Sequence, residues 1–60
     1  MKYTELTDAN IHEIKEVYKR EMQNGGYFWE NMCNAISKMF NIQFRTANFY
    51  LSNLIREGKI

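Results

Sequence analysis

Two apolar runs, "YFWENMCNAISKMF" and "RTANFYLSNLIREG", are separated by only four residues, Asn41-Ile42-Gln43-Phe44. In the first run, Trp29, Met32, Cys33, Ile36, Met39 and Phe40 fall on one side of a helix at about 100° per residue. In the second, Ala47, Tyr50, Leu51, Leu54 and Ile55 do the same. Two helices joined by so short a link must turn sharply, and their apolar stripes must then face a common core. Asn41 suits the turn, because asparagine tolerates a positive φ better than any residue but glycine. A stripe of methionine and aromatic residues at helical spacing reads as core, with Cys33 a small buried hydrophobe and not a nucleophile. Trp29 is expected to be largely buried against Ile14 and Tyr18.

Upstream lies a third amphipathic segment, "LTDANIHEIKEVYKREMQN". Ile11, Ile14, Val17, Tyr18 and Met22 share one face, and Glu13, Glu16, Lys19 and Arg20 make a solvated one. Thr7 is a good N-cap, with Asp8 at the positive end of the helix dipole. Leu6 and Ile11 have the spacing of a hydrophobic staple. Asn24-Gly25 closes the helix, and Gly25-Gly26 is the strong breaker before the second segment. The expected fold is all-α: a single domain over residues 1–60, a compact three-helix bundle with helices over about 7–24, 28–40 and 45–57 and a helix-turn-helix at its second corner.

Sixty residues lie near the lower limit for a chain that folds unaided. One cysteine cannot close an intrachain disulfide, and one histidine, His12, does not make a Cys/His metal set. No cofactor is implied. A lone thiol fits a reducing compartment, and the apolar runs are too short for a membrane span, so a cytoplasmic location without membrane attachment is expected. No acid pair, nucleophile with a base, or phosphate-cradling loop suggests an enzyme. Net charge is +1, but its distribution is uneven. Residues 1–30 carry four basic and six acidic side chains, whereas residues 31–60 carry Lys38, Arg45, Arg56 and Lys59 against Glu57 alone. A basic half points weakly to an anionic partner.

The stretch "FNIQFRTANFYLSNL" resembles the DNA-binding helix-turn-helix pattern. Phe40 is the apolar residue that ends the first helix, Asn41 stands at the turn, and Ile42 is the apolar plug after it. Polar Gln43, Arg45 and Thr46 then precede Ala47 and Tyr50. The closing "LSNLIREGKI" looks like the end of recognition helices in winged-helix regulators. Two features depart from the pattern: asparagine replaces the usual turn glycine, and Ser37 stands where a small alanine is usual. With no two-stranded wing after Ile60, the resemblance implies a small wingless regulator of phage or mobile-element type. Seven asparagines, six isoleucines and no proline agree with an AT-rich coding sequence of that kind.

With Ala47 at the centre of the buried side, the opposite side of the last helix carries Arg45, Phe49, Ser52 and Arg56, with Asn48 and Asn53 flanking it. Arginine can pair bidentately with guanine, asparagine with adenine, and phenylalanine can press on a thymine methyl. Gln43 and Thr46, at the helix start, can hold phosphates, and Lys38 and Lys59 are further phosphate contacts. The expected partner is double-stranded DNA, bound by a repressor or excisionase-like factor acting as a homodimer or a cooperative assembly. The alternative is a protein-binding module, an inhibitor or adaptor whose Phe49 face docks on a host protein, since exposed aromatics more often mark protein contacts.

Overall fold

In a computed structural model of the chain, residues 2–25 and 28–60 are described. A 3₁₀ turn, Tyr3–Glu5, leads into three α-helices: α1, Asp8–Asn24; α2, Phe28–Phe40; and α3, Phe44–Arg56. The described chain is all-α, as the spacing of its apolar residues predicts.

Four of the helix ends have a local cause. Thr7 takes an extended conformation, and its hydroxyl accepts the Asn10 N–H at 3.1 Å while Asn10 Oδ1 accepts the Thr7 N–H at 3.0 Å. This reciprocal box places Thr7 outside the helix as its cap. Gly25, at φ 70° and ψ −174°, ends α1 in a region that is essentially glycine's own. At the end of α2, Asn41 has φ 55° and the Ile42 N–H donates to the Ser37 carbonyl at 2.9 Å. That bond closes a Schellman motif with Asn41 as its left-handed residue. Gly58, at φ 73°, closes α3 in the same way, with Lys59 N–H on Leu54 O and Gly58 N–H on Ile55 O. The α2–α3 link is one residue shorter than its composition suggests. The Gln43 carbonyl already accepts the Ala47 N–H at 3.0 Å, so Phe44 is the first helical residue.

α2 is the central element and packs against both α1 and α3. Ile14 and Val17 of α1, Met32, Cys33 and Ile36 of α2, and Ala47, Leu51 and Leu54 of α3 form the buried cluster. Leu6, Ile11, Phe40 and the turn residue Ile42 pack on its margin. Three residues assigned to apolar faces are only edges of them: Met22, Met39 and Ile55 stay 49%, 41% and 37% exposed. Each stripe is wider than the surface its neighbours cover. Trp29 is half-buried, and its indole N–H turns to α3, not to the α1 residues expected to enclose it.

Candidate DNA-recognition face

The buried arc of α3 comprises Ala47, Tyr50, Leu51, Asn53 and Leu54. At 3.6 residues per turn its centre falls between Tyr50 and Leu54, displaced from the expected centre at Ala47. The outward direction is displaced equally. It runs through Arg45, Asn48, Ser52 and Arg56, one residue per turn, all exposed. Phe49 still faces solvent and is 55% exposed, but it sits at the edge of this strip beside Tyr50.

Asn53 corrects the expectation that it flanks the outer face. It is 6% exposed. Its Nδ2 donates to the Phe49 carbonyl at 2.7 Å, and its Oδ1 accepts from Arg56 Nη2. A buried amide needs both its donor and its acceptor served, and these bonds serve them from within the same helix. Asn53 therefore anchors Arg56 and does not reach outward.

Asn48 lies exposed on the other side of the strip, yet its oxygen is engaged. Trp29 Nε1–H donates to Asn48 Oδ1 at 2.8 Å, and Cys33 Sγ lies 4.0 Å from the same oxygen as a weak donor. Burial pushes the Cys33 thiol pKa up, so the S–H keeps its proton at neutral pH. Trp29 reads from its surroundings as core. Its role as a donor to α3 requires the angle between the two helices, which spacing within α2 does not contain.

The opposite flank is held by the N-terminal turn. The Tyr3 ring meets Phe49 edge-on at 6.0 Å between centroids and lies 6.0 Å from Tyr50. Tyr3 Oη–H donates to Glu57 Oε1 at 2.9 Å, and Lys59 Nζ lies 3.3 Å from Glu57 Oε1 and 5.9 Å from the Tyr3 ring centroid. The Tyr3 hydrogen bond draws the Glu57 pKa below the usual carboxylate range, with help from Lys59 and against some desolvation. Lys59 is thus partly neutralised, a poorer phosphate contact than its position in the sequence implies. Beneath this turn, on the side of α3 away from Asn48 and Ser52, a cleft of about 340 Å³ is walled by Tyr3, Leu6, Ile11, Leu54 and Glu57.

The remaining candidates divide by position. Gln43 is exposed at the start of α3 and makes no side-chain cap, in contrast to Thr7 at the start of α1. Thr46 is half-buried on the Tyr50 side, and Lys38 is exposed in the last turn of α2. Arg45 forms no ion pair among the described residues. Comparison with protein-family models, curated proteins and solved structures found no match to this chain. Among the described residues no helix is long and apolar enough to cross a membrane.

Proposed function

We propose that this chain is a small helix-turn-helix regulator that binds double-stranded DNA by placing α3 in the major groove. The observation that carries the reading is the strip Arg45–Asn48–Ser52–Arg56. It is an uncovered polar and basic ridge one helix wide, presented directly after a tight left-handed turn at Asn41. A major groove admits one such helix, and this ridge supplies donors for base edges and phosphates along its length. The start of α3, which the Gln43 side chain does not cap, adds a place for a phosphate. One 13-residue helix gives a short footprint, so the reading includes a homodimer or cooperative assembly with half-sites about 34 Å apart.

The test is binding to random-sequence duplex DNA at two salt concentrations. A linear loss of log affinity with log salt is expected. Arg45→Ala should lower that slope by about one if Arg45 contacts a phosphate, or relax one base position if it contacts guanine. No binding at any salt overturns the reading.

One observation favours a second reading. Phe49 is 55% exposed with Tyr3 against its edge, an aromatic pair of the kind that anchors protein interfaces. In that case Phe49→Ala abolishes a protein complex. On the DNA reading it removes only a preference for thymine and leaves the salt-dependent binding intact.

A further inference from the structure

On the DNA-binding reading of α3, we infer that Asn48 presents only hydrogen-bond donors to the groove, and so selects guanine and rejects the adenine that an unrestrained asparagine prefers. Trp29 Nε1–H is a donor and nothing else. At 2.8 Å from the Asn48 amide it must face the oxygen, because the flipped amide would set N–H against N–H. The orientation of the amide therefore follows from its partner.

The oxygen has two lone pairs. Trp29 takes one, and Cys33 Sγ lies 4.0 Å from the same oxygen, at the outer limit of a thiol hydrogen bond. Bidentate pairing with adenine needs that oxygen to accept from N6 while the NH₂ donates to N7. Here the oxygen is turned back toward α2, and the NH₂ is left outward on the exposed strip. Guanine offers N7 and O6, two adjacent acceptors, which match the two hydrogens of one NH₂ group. Adenine would instead set its own N6 donor toward the NH₂, while the oxygen that could accept from it is held toward Trp29. Trp29 is thus a positioning residue: it touches no base and decides which base its neighbour reads.

The experiment is selection from a random duplex library with the intact chain and three variants, Asn48→Ala, Trp29→Phe and Asn48→Asp. Affinities are measured at two salt concentrations, and circular dichroism checks the fold of each variant. Asn48→Ala identifies the base pair that Asn48 reads. The expected result is a wild-type preference for G·C over A·T at that pair of roughly fivefold to a hundredfold. Trp29→Phe keeps the ring and removes the donor, so the amide is free to turn. It should then admit adenine at that one pair, to within about threefold of guanine on the same scale, and leave the salt slope unchanged. Asn48→Asp retains an oxygen for the indole but loses the outward donors, and should lose the guanine preference without touching the core. It remains decisive if Trp29→Phe fails to fold.

Wild-type selection of adenine at the pair read by Asn48 would overturn the inference while DNA binding stands. So would a Trp29→Phe variant that weakens all sequences alike, or a guanine preference that survives in Asn48→Asp. Absence of any salt-dependent binding by the wild type would instead overturn the DNA-binding reading itself, and this inference with it.

Discussion

The two flanks of α3 are held in different ways. On one, a single directional hydrogen bond from Trp29 orients the amide of Asn48. On the other, the rings of Tyr3, Phe49 and Tyr50 meet at 6.0 to 6.4 Å, and Phe49 remains more than half exposed. A hydrogen bond selects one of two amide orientations, whereas edge-on ring packing restrains a side chain without specifying what it offers. The Trp29 flank is therefore suited to setting specificity. The Tyr3 flank is suited to shaping the margin of the face and tying the N-terminal turn to the end of the last helix.

The largest test of that contrast is Tyr50→Ala. Tyr50 is 1% exposed and underlies the Tyr3 and Phe49 rings. Its loss should cost about 3 to 5 kcal/mol, most of the stability of a domain this small, measured by denaturant unfolding. A cost below about 1 kcal/mol would show that the aromatic flank is not part of the core. Next in size is the turn that sets the rotation of α3 and hence both flanks. Asn41 has φ 55°, so Asn41→Val should destabilise by about 1 to 2 kcal/mol and Asn41→Gly should be tolerated. Equal stabilities of the two variants would remove the left-handed turn.

Smaller again is Trp29→Phe. It removes the bond to Asn48 but keeps most of the ring surface, and Asn48 is open to water. The expected loss is about 0.5 to 1.5 kcal/mol in thermal or denaturant melts, the net worth of one hydrogen bond. A loss several times larger would mean that Trp29 acts through packing and not as a directional donor.

What was legible in the chain follows from how local each feature is. The apolar spacing of α1, α2 and α3, the Thr7 cap, and the Asn41 turn are written within a few residues, and the helix ends are found within one residue of where the spacing puts them. The outward placement of Phe49 came from the same periodicity. Centring the buried arc on Ala47, the smallest apolar residue, puts Asn53 on the wrong side of α3. The bulk of Tyr50 and the N-terminal turn that packs on it shift the arc toward Asn53. A polar residue tolerates that burial only because Phe49 and Arg56 serve its amide. The Trp29–Asn48 bond depends on the crossing of two helices, and the Tyr3–Glu57 bond spans 54 residues. Neither distance is encoded in any local pattern.

The smallest effect expected is on the Tyr3 side and appears as a pH dependence. The Tyr3 hydroxyl is the main cause of the lowered Glu57 pKa, with Lys59 adding to it. A carboxyl whose pKa is depressed on folding contributes stability that is present above its unfolded pKa and is lost as pH falls through the folded value. The bond also favours the protonated phenol, and the Tyr3 pKa is raised by desolvation and by Glu57. That contribution is present at neutral pH and disappears only in alkali. Tyr3→Phe keeps the ring against Phe49 and Tyr50 and deletes only the hydroxyl. At neutral pH the variant should melt slightly below the wild type. The two melting temperatures should converge as pH falls below the carboxylate range, because acid then removes from the wild type what the substitution removed from the variant. Glu57 and Lys59 are exposed and stay paired in both proteins, so added salt should act on both melts alike and leave the gap nearly unchanged. A gap that stays constant from neutral pH into acid would show that the Tyr3 ring, and not its bond to Glu57, holds the N-terminal turn against α3.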